Sequence, residues 1–183
     1  MSENNVKMDI RYVKTEKALD HAMYSLLEKR NFQKITVSDI CAAAMISRAS
    51  FYVHYIDKYD FLQDWLSRLY PQNLTFHEPY DYIETSINQF VLTHKSIIKN
   101  IVMNADNETL DILLKFILLF LKITPKSDKV SSDPAHIVSY NIYAGGLIRY
   151  IIWQVENNFP KEVLPMNIHI YKIIEKWYKM KTE

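Results

Sequence analysis

Residues 35–62 read Ile35-Thr-Val-Ser-Asp-Ile-Cys-Ala-Ala-Ala-Met-Ile-Ser-Arg-Ala-Ser-Phe-Tyr-Val-His-Tyr-Ile-Asp-Lys-Tyr-Asp-Phe-Leu62, and three helix starts are written into them with the same local chemistry. Thr36 reads as an N-cap with Asp39 at N3, and Ile35 with Ile40 sits where a hydrophobic staple closes. Ser47 reads as the cap of a second helix, with Ile46 and Phe51 as its staple. Asp57 with Asp60, and Ile56 with Phe61, write the start a third time. Val37, Ile40, Cys41 and Ala44 fall at i, i+3, i+4 and i+7, the apolar stripe of a helix. Two short helices on a tight turn at Met45, followed by a third, are the arrangement that presents a helix to the DNA major groove.

The segment Ser47 to Tyr55 is the expected recognition helix. At about 100 degrees per residue, Phe51 and Tyr55 share a face turned to the core, and Ala49, Ser50 and Val53 form the opposite face. Those short side chains permit close approach to base edges, and Val53 suits a thymine methyl group. Arg48 and Tyr52 flank the face on one side and His54 on the other, which suits phosphate contacts. For Arg48 a guanine contact is an equally open alternative.

Ile-Thr-Val-x-x-Ile followed by Ile-Ser-Arg-Ala-Ser-Phe-Tyr-x-His-Tyr-x-x-Lys-x-x-x-Leu resembles the DNA-binding domain of the tetracycline-repressor (TetR) family. The likeness runs upstream through Thr15, Ala18, Leu19 and Leu26 to Glu28-Lys29-Arg30-Asn31-Phe32, so it covers roughly residues 9–66. It implies that Thr36 contacts a phosphate, that Arg48 to Ser50 face the bases, and that Tyr52, His54 and Lys58 hold the DNA backbone, with Ser47 and Val53 also among the expected DNA-binding residues. One position departs from the pattern: family members usually carry Gly where this chain has Met45. The turn is therefore expected either to hold Met45 in a left-handed conformation, costing on the order of 1 kcal/mol, or to follow another path.

The whole chain has 183 residues, 49% hydrophobic and only two Gly, enough to bury a core and biased toward helices over turn-rich sheets. The expected fold is all-α: an N-terminal three-helix helix-turn-helix domain over residues 1–70 and a C-terminal helical ligand-binding and dimerisation domain over 71–183. The stretch from Pro71 to Pro79 reads as the linker. Cys41, the single cysteine, falls on a core stripe, which excludes an internal disulfide framework and suits a reducing cytoplasm. No apolar run is long enough to span a bilayer, and Met1 to Lys7 lacks the apolar core of a secretory signal, so a cytoplasmic protein without membrane association is expected.

Net charge is +1 overall, and residues 1–60 hold nine basic against eight acidic side chains. DNA affinity must then come from the placement of a few cations and not from bulk charge.

In the second half, Tyr82, Ile83, Ile87, Phe90 and Val91 form one helical stripe. Ile97, Ile98, Ile101 and Val102 form a shorter one, and Leu110 to Ile123 is apolar on most sides, so a buried helix is expected there. Pro134 follows Asp133 as the start of a helix running to about Asn157, and a last helix is expected over Met166 to Lys181. These two carry more apolar and aromatic surface than an edge can hide, which makes them the expected homodimer interface, with Gly145, Gly146 and Trp153 in it. A kink or a tight crossing within the chain is the other use of the paired glycines. Phe116, Tyr143 and Tyr150 are the candidate walls of an effector pocket. Tyr143 to Trp153 also resembles the C-terminal domain of the Firmicutes-type TetR subgroup that includes the dihydroxyacetone-kinase regulator DhaS.

The chain contains no His-Glu-x-x-His, paired-cysteine, Gly-rich phosphate-loop or Gly-x-Ser-x-Gly pattern, so neither an enzyme nor a metal or cofactor is expected. Three functions fit: a dimeric repressor that binds palindromic double-stranded DNA and responds to a small effector, a coactivator whose C-terminal domain binds a protein partner, and a protein-interaction module that uses no DNA.

Overall fold

The computed structural model describes residues 10–69, 81–122 and 134–160. They are helical throughout, with no strand among them. Helix α1 (Ile10–Leu27) buries Leu19, Ala22, Met23 and Leu27, side chains three and four apart on one face. A 3-10 turn (Phe32–Lys34) follows, capped by the Asn31 side chain, which accepts from the Gln33 N–H at 2.9 Å.

Helix α2 (Val37–Ala44) starts in the expected capping box and buries Ile40, Cys41 and Ala44. Burial pushes the Cys41 thiol up, leaving it a neutral packing group. Helix α3 (Arg48–His54) is capped by Ser47, which accepts from the Ser50 N–H at 3.0 Å, and buries Phe51. Between them Met45 takes the left-handed conformation, φ 55 and ψ 41.

Helix α4 (Lys58–Leu69) buries Phe61, Leu62, Trp65 and Leu66. Asp57 and Asp60 start it as expected: the Asp57 carboxylate accepts from the Tyr59 and Asp60 N–H groups, and Asp60 reaches back to the Ile56 N–H at 2.9 Å. Ile56 itself is 82% exposed, so the third staple is not closed and a polar cap alone starts this helix.

Helices α5 (Asp81–Thr93), α6 (Lys95–Val102), α7 (Asn107–Lys122) and α8 (Pro134–Glu156) build the second half. Ile97, Ile98, Ile101 and Val102 of α6 are buried, as the stripe requires. Helix α7 is not buried all round. Ile112, Leu113 and Ile117 face the core, whereas Leu119 is 46% exposed. One hydrophobic core runs through both halves, from Leu19 to Val155. Packing of α1 on α6 and of α4 on α7 joins them.

The expected linker from Pro71 to Pro79, the Asp133 cap and the helix expected over Met166 to Lys181 lie outside the described residues. No described helix is long and apolar enough to cross a membrane.

Candidate nucleic-acid interface

The interface is built on α2 and α3, and its first element is the start of α2. The Thr36 hydroxyl accepts from the Asp39 N–H at 3.1 Å and donates to Asp39 Oδ2 at 2.7 Å, while the Thr36 N–H donates to the same oxygen at 2.9 Å. Arg30 closes the arrangement, with Nη1 on Asp39 Oδ1 at 3.0 Å and Nη2 on the Lys34 carbonyl at 2.9 Å. The Thr36 hydroxyl and then Arg30 hold the Asp39 carboxyl far below the usual carboxylate range. Thr36 has one hydroxyl proton and spends it on Asp39. A phosphate oxygen gains a bond from it only by displacing that carboxylate, whereas the first-turn N–H groups of α2 have no intrahelical acceptor.

Helix α3 turns the expected face outward. Ser47, Arg48, Ala49, Tyr52 and Val53 are exposed, Val53 to 75%, and Ser50 is half-buried. Phe51 and Tyr55 are buried beneath them, as the wheel requires. The Ser47 and Ser50 hydroxyls lie 2.9 Å apart. Arg48 Nη2 is 3.4 Å from the Tyr52 hydroxyl, with its guanidinium 5.9 Å from that ring. Tyr52 thus lays Arg48 along the helix surface and restricts the arc through which it reaches for a base or a phosphate.

Two other site residues take up internal positions. His54 stacks on Tyr12 of α1, with ring centroids 4.0 Å apart and planes 24° apart, and its Nδ1 is buried with no hydrogen-bond partner. Lys58 points inward. Its ammonium donates to the carbonyls of Phe32 at 3.2 Å, Gln33 at 3.4 Å and Ile35 at 3.1 Å, and sits 4.6 Å from the Phe32 ring centre. Burial pushes its pKa down. Lys58 therefore pins the chain that enters α2 to the start of α4.

In the second half, Phe116, Tyr143 and Tyr150 are placed differently among the described residues. Tyr143 and Tyr150 are buried in packing, and only Phe116 borders the apolar space between α4, α5, α6, α7 and α8. That space amounts to about 30 Å³, room for a water molecule and not for an effector. Close packing of Leu66, Val91, Ile117 and Ile151 takes up the rest of that volume.

Gly145 and Gly146 lie in the uninterrupted helix α8, and a Cβ on either would meet nothing within 4 Å. The kink and the crossing within the described chain both fall away. Val138, Ile142, Gly145, Arg149 and Trp153 recur at i, i+4, i+7, i+11 and i+15 and are all exposed, Ile142 to 62%. They form one outward stripe opposite the buried Ala144, Leu147 and Val155.

Sequence reasoning did not find Tyr12, which carries His54, nor the role of Arg30. Both depend on which residues α1 and the turn after it bring alongside α2 and α3, and no local pattern encodes that.

Residues 21–64 match the family model described as bacterial regulatory proteins, tetR family. A Bacillus subtilis protein described as an uncharacterized HTH-type transcriptional regulator, YxbF, is 40% identical over 67 residues, which are 36% of this chain and 18% of that protein. Among solved structures, the dihydroxyacetone kinase operon activator DhaS overlaps 91% of this chain and 97% of its own, at 15% identity and a TM-score of 0.56, which shows a shared fold. NalD of Pseudomonas aeruginosa overlaps 90% of this chain and 96% of its own at 13% identity, with a TM-score of 0.46. The capped pair α2 and α3 thus lies within a segment that matches the tetR-family helix-turn-helix domain over residues 21–64, carried on an all-helical body that shares its fold with DhaS.

Proposed function

We propose that the chain acts as a homodimer on a palindromic operator, residues 1–70 forming the DNA-reading domain and residues 71–183 the regulatory and dimerisation domain. The observation that carries this reading is the division of α3 into a buried Phe51 face and an exposed face of Arg48, Ala49, Tyr52 and Val53. Ala49, Ser50 and Val53 meet base edges, Arg48 reads a base from the position Tyr52 gives it, and Ser47 and Tyr52 contact phosphates. Thr36 contacts a phosphate by exchanging its bond to Asp39. His54 and Lys58 position the helix pair from behind. Two copies joined along the outer stripe of α8 place their α3 helices in successive major grooves about 34 Å apart, so occupancy of the operator represses transcription. A small effector relieves repression by its preference for the non-binding state.

Unbiased selection from random duplexes, followed by fluorescence anisotropy at fixed salt, tests the reading. A palindrome is expected to be enriched. Arg48→Ala is expected to flatten the preference at one position of each half-site by about 1–3 kcal/mol, whereas Tyr52→Ala weakens all sequences alike. Enrichment of no palindrome would overturn the dimeric operator-binding reading.

A second reading is favoured by the filled core of the second half, whose described apolar space is about 30 Å³. A second half whose described apolar space is filled suits a coactivator controlled by a protein partner, the kind of role that the DhaS name as an operon activator describes. Deletion of the gene separates the two: target transcripts rise for a repressor and fall for an activator.

A further inference from the structure

A cleft of about 860 Å³ opens between the DNA-reading helices and α7, away from the small apolar space of the second half. Its volume is that of a small-molecule site. Tyr12, His54, Tyr55 and Phe116 supply aromatic surface, and Leu118 and Leu119 of α7 form an apolar wall.

The sign of the cleft follows from its ion pairs. Its two cations, Arg68 and Lys115, are already committed. Arg68 is paired with Asp64 and, at 2.6 Å, with Asp20, and Lys115 is paired with Asp111 at 2.7 Å. Asp60 is occupied by the Ile56 N–H, and Asp64 also accepts from the Tyr55 hydroxyl at 2.8 Å. Glu16 lies one helical turn from Tyr12 on the cleft wall and has no hydrogen-bond or ion-pair partner among the described residues. Three carboxylates thus line the cleft against two cations that are already paired, and the uncommitted one, Glu16, sits beside the Tyr12–His54 stack. Low-dielectric walls lined by one sign of charge attract the opposite ion, and aromatic faces favour a cation.

We propose that this cleft is a binding site for a small amphiphilic organic cation, with its charge near Glu16, its apolar body against Leu119 and Phe116, and one edge against His54 at the end of α3. The assignment is independent of how the protein reads DNA.

Isothermal titration of the full chain, without DNA, with tetraphenylphosphonium tests the site. Tetraphenylborate, nearly the same shape with the opposite charge, is the control. Saturable binding of the phosphonium is expected, with the borate much weaker. Glu16→Gln is expected to weaken phosphonium binding about threefold or more, the scale of one partly exposed charge contact. Leu119→Arg, a change at an exposed position that fills the cleft with a cation, is expected to abolish it while the melting temperature holds. No saturable binding, equal binding of the two ions, or unchanged binding in both variants would each overturn the proposal.

Discussion

The Tyr59 hydroxyl donates to Asp106 Oδ2 at 2.6 Å, joining the first turn of α4 to the N-cap of α7 across 47 residues of sequence. Asp106 serves two structures with one carboxylate, because its Oδ1 accepts from the Thr109 N–H at 2.9 Å and from the Thr109 hydroxyl at 2.7 Å. Thr109 is fully buried and accepts in turn from Gln33 of the 3-10 turn at 2.9 Å. Asn31 donates to the Met103 carbonyl, and Asn100 to the Leu27 carbonyl at 2.8 Å. The seam between the two halves is therefore polar at one end and apolar where α4 meets α7. A polar seam fixes orientation, since its bonds are lost once the partners slide.

Acid should loosen this seam. The Tyr59 hydroxyl and then the Thr109 N–H hold the Asp106 carboxyl down at about 2, and the same bond raises the Tyr59 hydroxyl to about 12. A carboxyl with a depressed folded-state pKa contributes stability that is present above its unfolded value near 3.8 and is lost as pH falls toward 2. Asp39 acts with the same sign. Asp106→Asn is expected to lower the melting temperature at pH 7 and to shrink the difference between pH 7 and pH 3. Thermal melts of variant and parent at both values measure it, and an unchanged pH difference would rule out Asp106 as a contributor.

Lys58 gives a prediction that separates a positioning role from a phosphate contact. Its ammonium holds the three backbone carbonyls of Phe32, Gln33 and Ile35. Lys58→Met should cost about 1–3 kcal/mol of stability, the scale of losing charge-assisted bonds to buried acceptors. The salt dependence of DNA binding should keep its slope. A phosphate contact would instead reduce that slope by about 1 with little change in melting.

Local chemistry is what the chain discloses most fully. The caps at Thr36 and Ser47 and the buried Phe51 face follow from side chains three and four positions apart, and the structure carries all of them. Ile56 departs because a staple needs the incoming chain to lie over the helix, and at Asp57 the cap bonds turn that chain outward. The inward course of Lys58 and the Tyr12–His54 stack depend on where α1 and the 3-10 turn pass, so neither is readable from a window of sequence. Tyr143 and Tyr150 are similarly opaque. Aromatic residues on an apolar helix line a cavity or fill one according to the volume that facing helices leave, and the apolar space described between α4 and α8 is about 30 Å³.

Met45 offers a stabilising change. It holds φ 55 in the turn between α2 and α3 and is 91% exposed, so its side chain returns little packing for the strain. Met45→Gly should relieve about 1 kcal/mol of left-handed strain, less part of that gain through the freer unfolded chain. Met45→Asn, which tolerates this region with less unfolded-state freedom, should do at least as well. Denaturant titration checks both, and a loss of stability in the two variants would mean that Met45 makes a contact the strain argument omits.

The outer stripe of α8 gives the most direct test of dimerisation. Gly145 lies at its centre, between Ile142 and Arg149, and a side chain built there meets no atom of the same chain within 4 Å. Gly145→Leu should therefore favour the helix of an isolated subunit, by up to about 1 kcal/mol from propensity alone. Two copies brought together along the stripe would meet the new side chain where their backbones approach most closely, and overpacking such a contact costs about 1–3 kcal/mol. The parent is expected to scatter light as a dimer at micromolar concentration and the variant to shift toward the monomer with its helicity kept. If the parent is monomeric, or the variant remains as dimeric as the parent, the stripe is not the interface.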